Sequence, residues 1–143
     1  MALITISDPK ENINKPKKFV VGIDLGTTNS LIAYRNKETK FYGDIHPSVV
    51  DISDDPINPY FVKSIKRLIG LTAKEIKDIQ DNIFHDMDMT NNKLPLIKNK
   101  SGKKFSAIEV SSLILKNLKK IAENDEQKTI DGAVITVPAY FND

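Results

Sequence analysis

From Phe19 to Leu25 the chain reads Phe-Val-Val-Gly-Ile-Asp-Leu, an apolar, β-branched run with a single carboxylate near its end, which predicts a buried strand. Ser30 to Arg35 (with Leu31, Ile32, Ala33 and Tyr34) predicts a second strand, and so short a connection makes the pair antiparallel. Thr39 to Tyr42 is expected as a third strand and Ser48 to Ile52 as a fourth, after His46-Pro47, with a loop over Ser53 to Pro59. Helical spacing then begins near Tyr60. Phe61, Ile65, Leu68 and Ile69 fall on one face, Lys63, Lys66 and Arg67 fall elsewhere, and Gly70 supplies the stop. Thr72, with Glu75 three residues on, predicts a capping box for a second helix carrying Ile76, Ile79 and Ile83.

Asp86 to Lys93 is polar and reads as loop, whereas Leu94 to Lys98 and Lys104-Phe105 flank a glycine-containing hairpin over 99–103. The strongest helix spans Ala107 to Asn124. Ser106 and Glu109 form its capping box, and Val110, Leu113, Ile114, Leu118 and Ile121 make an apolar stripe opposite a solvated face of Lys116, Asn117, Lys119 and Lys120. Ala133 to Val137 predicts a last buried strand, ended by Pro138. Tyr140-Phe141 follows with no helix to cover the sheet, which implies a missing partner surface. At the other end, residues 1–18 are expected to be an N-terminal extension, a short strand Ala2 to Ile6 and a polar connector, before a domain over 19–143.

The 143 residues suffice for one globular domain with a real core, and 40% apolar against 28% charged residues is ordinary for such a domain. A net charge of +2 with lysines spread along the chain gives no footprint for nucleic acid. The absence of cysteine excludes disulfides and thiolate sites, and His46 and His85 lack metal-ligand spacing. No apolar run is long enough to cross a bilayer and the N-terminus lacks the order of a secretory signal, so no membrane association and a cytoplasmic location are expected.

The chemistry concentrates in Gly22 to Ser30, Gly-Ile-Asp-Leu-Gly-Thr-Thr-Asn-Ser. Gly26 lets the backbone turn where a side chain would obstruct it. Backbone N–H groups of such a turn form an anion-binding nest, to which the hydroxyls of Thr27 and Thr28 add donors. Asp24 would repel a phosphate by itself but suits a hard cation, since Mg²⁺ takes oxygen ligands and bridges carboxylate to phosphate. An acid within an apolar strand also needs a partner. The competing reading is a plain hairpin turn with Asp24 solvated at its edge. Neither a P-loop nor a dinucleotide fingerprint is present.

Three segments together resemble the DnaK-type heat-shock chaperones: Ile23 to Ser30, Lys66-Arg67-Leu68-Ile69-Gly70, and Val134 to Asp143, reading Val-Ile-Thr-Val-Pro-Ala-Tyr-Phe-Asn-Asp. The first is shared with sugar kinases and actin-like filament proteins; the last is specific to the chaperones. The opening Met1 to Pro9 and the extension before the first strand resemble the branch serving iron–sulfur cluster assembly. The resemblance implies an α/β fold, the actin-like ATPase (ribonuclease H-like) lobe, with a mixed sheet, N-terminal antiparallel strands and flanking helices, here truncated. It implies ATP and ADP with Mg²⁺ as ligands. Gly26, Thr27, Thr28 and Asn29 would bind the nucleotide's phosphates, Asp24 would hold Mg²⁺ through water, Lys66 would be the catalytic lysine, and Pro138 would be the family's hinge. Read without the family, Lys66 is one solvated lysine among many and Pro138 a strand terminator.

The implied partners are a J-domain co-chaperone and the iron–sulfur scaffold protein, and the implied role is maturation of iron–sulfur proteins. In the family a longer segment separates the counterparts of Val50 and Lys66; here only Asp51 to Ile65 intervenes. The family's catalytic glutamate, second phosphate loop, adenosine-binding elements and peptide-binding domain find no counterpart, so this chain alone is expected to bind ATP weakly and to hydrolyse it negligibly. The rival expectations are a sugar-kinase-like phosphotransferase, for which no base or substrate residues are identified, and a non-catalytic remnant.

Overall fold

The computed structural model describes residues 18–35, 41–79, 85–90 and 94–136. Its centre is a four-stranded mixed sheet in the order β3-β2-β1-β9. Strand β2 (Asn29–Arg35) pairs antiparallel with both β1 (Val20–Asp24) and β3 (Phe41–Pro47), while β9 (Gly132–Thr136) pairs parallel to β1. Two small sheets flank it. One pairs β4 (Val49–Asp51) with β5 (Phe61–Lys63); the other runs β6 (Met87–Asp88), β7 (Leu96–Lys98), β8 (Lys104–Ser106). The helices are a 3₁₀ turn (Ile65–Leu68), the short α1 (Ala73–Asp78) and the long α2 (Ala107–Glu126).

Alternation decides which face of the central sheet is covered. Val21 and Ile23 of β1 and Ile32 and Tyr34 of β2 are buried, whereas Val20, Asp24, Leu31 and Arg35 between them are exposed. The buried set joins Val110, Ile114, Leu118 and Ala122, spaced by four along one stripe of α2, in a single core with Val50, Val62, Ile65, Leu68, Ile76 and Ile97. Burying an Ile or Leu of this kind stabilises by about 1.5–3 kcal/mol. The sheet and helix are also tied by polar contacts. The Tyr34 hydroxyl donates to Asp125 at 3.1 Å, and burial, with that carboxylate beside it, pushes the phenol's pKa well above its ordinary value. The Phe19 amide donates to Asp131 Oδ2 at 2.7 Å.

Both expected capping boxes are present. Thr72 and Glu75 close the start of α1, and Ser106 and Glu109 close that of α2, each side chain bonding the other residue's backbone N–H. The hairpin around Gly102 is present as β7–β8, with Gly102 at φ +85°. Four expectations are corrected. The helix from Tyr60 is instead strand β5 followed by one 3₁₀ turn: Phe61 and Lys63 face out, Val62 is buried against β4, and Ser64 at φ 57° breaks the backbone between them. Local spacing imitated a helical face because the partner that makes these residues a strand lies in a distant segment.

The third strand, Phe41–Pro47, runs on past the expected Tyr42, and the expected start at Thr39 lies outside the described residues; Gly43, Asp44 and His46 hid the extension, since an edge strand has little apolar surface to bury. The following strand is β4, Val49–Asp51. A two-residue strand, β6, lies within the expected loop after Asp86. The last strand exists but is exposed: Val134 and Ile135 keep 68% and 41% of their surface, because β9 is the sheet's edge and nothing among the described residues covers it. The extension over 1–17, Ile83, Pro138 and Tyr140-Phe141 lie outside the described residues.

Candidate functional site

The C-terminal ends of parallel strands β1 and β9 lie side by side, with Asp24 in register with Thr136. In open α/β sheets the carboxyl ends of parallel strands are where ligands are received. Here β1 runs directly into the turn Leu25–Thr28, and β2 returns from Asn29.

The turn is tight enough to require glycine. A Cβ on Gly26 would lie 1.8 Å from the carbonyl oxygen of Asn29, a backbone atom that no side-chain rotation can move aside. Ser48, fully buried between β3 and β4, pins the turn from beneath: its amide donates to the Thr28 carbonyl at 2.8 Å and its hydroxyl to the Gly26 carbonyl at 2.9 Å. Ser30 completes this support, with its hydroxyl 2.8 Å from that of Ser48. Sequence reading did not single out Ser48. The available signal was a small hydroxyl residue beside apolar Val49-Val50, since a buried polar group must find a partner.

Ser48 thus engages two of the turn's carbonyls, those of Gly26 and Thr28. Among the described residues, no backbone carbonyl accepts from the N–H of Gly26, Thr27 or Thr28. Thr28 and Asn29 are exposed and Thr27 is half-buried. Hydroxyls and amides gathered at one bend suit an oxyanion such as a phosphate chain.

Asp24 stands beside this turn at the end of β1, with its side chain 58% exposed rather than buried. The exposure corrects the expectation of an acid enclosed in an apolar strand. Its partners are polar: Thr136 Oγ1 donates to Oδ1 at 2.5 Å, and Lys66 Nζ lies 4.0 Å from the same oxygen. Lys66 is the less exposed member, at 19%, because the 3₁₀ turn carrying it is anchored by buried Ile65 and Leu68. The short connection from Val50 therefore still brings Lys66 to Asp24. An ion pair this open is worth about 0–1 kcal/mol, so stability is a poor reason for it.

The donor set fits a polyphosphate with a hard cation: N–H and O–H groups of the turn for the one, a single exposed carboxylate for the other. Among the described residues no group of three or more His, Cys, Asp or Glu is placed to hold a metal by protein ligands alone. His46 Nε2 lies 3.1 Å from Asp44, and His85 Nε2 2.9 Å from the Lys63 carbonyl. No described helix is long and apolar enough to cross a membrane.

The family profile described as Hsp70 protein matches residues 54–143. The chaperone protein HscA homolog of Histophilus somni strain 129Pt is 36% identical over 163 aligned positions, taking in 100% of this chain and 26% of that protein. The HscA homolog of Pseudoalteromonas atlantica is 37% identical and the chaperone protein HscA of Xenorhabdus nematophila 38% identical, each over 165 positions with the same coverage. The chain thus spans about a quarter of the length of these relatives, 26%. These alignments take in the whole chain, including residues 1–53 that precede the region of the family profile. On this evidence the chain belongs to the Hsp70 family.

Proposed function

We propose that this chain forms the phosphate-binding corner of the nucleotide site of an HscA-type chaperone, taking ATP and ADP with Mg²⁺. The observation that carries the reading is the convergence of three separate segments, the Gly26 turn, Asp24 with Thr136, and Lys66, at one end of the sheet. In this reading the amides from Gly26 to Asn29 and the hydroxyls of Thr27 and Thr28 grip phosphate oxygens, and the rigid seat on Ser48 keeps them aimed. Asp24 orients cation-bound water through its exposed carboxylate. Bound Mg²⁺ would neutralise charge on the phosphate chain. Lys66, held by its anchored 3₁₀ turn, presents a cation toward the terminal phosphate and orients the attacking water, in a reaction whose catalysis is mostly positioning and electrostatics.

The finer assignment extends to the whole protein. Pro138 acts as the hinge passing nucleotide state onward, the partners are a J-domain co-chaperone and an iron–sulfur scaffold protein, and the site of action is the cytoplasm in iron–sulfur protein maturation. Its support is the identity to HscA proteins along the full chain. A chimera tests it: residues 1–143 replace the matching region of the Histophilus somni relative, and ATP turnover is followed with and without a J-domain co-chaperone and scaffold protein. The reading expects turnover stimulated by both and lost in Lys66→Ala. A folded chimera without nucleotide-dependent turnover, or one indifferent to Lys66, contradicts it.

A further inference from the structure

Thr136 meets Asp24 in a specific geometry. It lies at the end of edge strand β9, exposed, in register with Asp24, and its hydroxyl donates to Asp24 Oδ1 at 2.5 Å. Lys66 Nζ faces that same oxygen. The hydrogen bond and the nearby ammonium charge therefore both act on Oδ1, and among the described residues none donates to Oδ2.

A carboxylate's last torsion is broad and two-fold, so a half-exposed Asp exchanges its oxygens readily unless something holds one of them. A hydroxyl proton given to a carboxylate is a charge-assisted bond, short and directional, and suited to that task. Lys66 at 4.0 Å supplies charge but little direction. Thr136 also has reason to stay in place: its backbone is fixed by the parallel ladder to β1, the same strand that carries Asp24.

We propose that Thr136 is a positioning residue for the cation site: it locks Oδ1 of Asp24 so that Oδ2 is the oxygen presented to Mg²⁺-bound water. The inference rests on the Mg²⁺–nucleotide reading of the turn. A group that orients a metal-site ligand characteristically alters metal affinity by about 10–100-fold when removed; for a ligand acting through water the lower end, about tenfold, is expected.

The test is calorimetric titration of the full 143-residue chain with ADP, in excess Mg²⁺ and in EDTA. Thr136→Val keeps the β-branched shape that suits a strand and removes the hydroxyl; Thr136→Ser keeps the hydroxyl. The expected result is that Val lowers ADP affinity about tenfold in Mg²⁺, leaves affinity in EDTA unchanged, and that Ser restores the Mg²⁺ advantage. Equal affinity of wild type and Thr136→Val in Mg²⁺ overturns the role, as does an equal loss with and without the metal, which marks a merely structural effect. A wild-type chain whose ADP affinity does not respond to Mg²⁺ overturns the underlying reading of the site, and this inference with it.

Discussion

Substituting Gly26 by alanine isolates the tightness of the turn from every other feature of the chain. The added Cβ would stand 1.8 Å from the Asn29 carbonyl oxygen and 3.0 Å from its carbon, where ordinary contact begins at 3.4 Å. Well over an ångström must be found by moving backbone, and the Gly26 and Thr28 carbonyls are held from below by Ser48. Overpacking of this kind costs about 1–3 kcal/mol, and with both sides fixed the upper half of that range is expected. For a urea slope of about 1–3 kcal/mol per molar, the unfolding midpoint should fall by about 1 M. The opened turn should also lose nucleotide affinity by well over tenfold, since displacement by about 1 Å disables a positioned site. Urea unfolding followed by far-UV circular dichroism, with MgADP titration of the folded variant, reads both effects. An unchanged midpoint together with unchanged affinity would refute the steric argument and the assignment of the turn.

Ser48→Ala should lower stability by about 1–3 kcal/mol, because it strands the Gly26 carbonyl and the Ser30 hydroxyl in a buried place; a loss below about 0.5 kcal/mol in urea unfolding counts against its seating role. Thr27→Val, by contrast, should weaken MgADP binding while leaving the unfolding midpoint in place, and a midpoint shift without a change in binding contradicts that division of labour. Acid should destabilise the fold. The Asp88 carboxyl is held well below its ordinary range by Lys104 and then Thr90, Asp54 by Ser101, Asn99 and Lys103, and Glu75 and Glu109 by their capping partners Thr72 and Ser106. With folded values below unfolded ones, their contribution is complete above about pH 4–5 and is lost as pH falls further through the folded values. A melting temperature that does not decline between about pH 5 and pH 2 would refute this.

What the sequence revealed tracks how local each determinant is. Ser106 and Glu109, or Thr72 and Glu75, lie three residues apart and settle a helix start between themselves, so both capping boxes were legible. The Gly26 turn was legible for the same reason: the clash that demands glycine comes from Asn29, within the same turn. Phe61 to Lys63 misled because their partner strand, Val49 to Asp51, is set by tertiary pairing that a helical spacing count does not contain. Asp24 and Thr136 likewise meet only through the parallel register of β1 and β9. Neither residue signals the other along the chain. Lys66 was visible only through its motif, since nothing in its charge or neighbours distinguishes it from the other lysines until the 3₁₀ turn brings it to 4.0 Å from Asp24.

In the proposed function the Gly26 to Asn29 turn presents its amides to a magnesium-bound nucleotide. Backbone amide NMR of the full chain during titration with MgADP tests this directly, even for weak binding. The largest, saturable shifts are expected on Gly26, Thr27, Thr28 and Asn29, extending to Asp24 and shrinking when EDTA removes the metal. Shifts that spare the turn, or a spectrum that does not respond to MgADP at all, would contradict it.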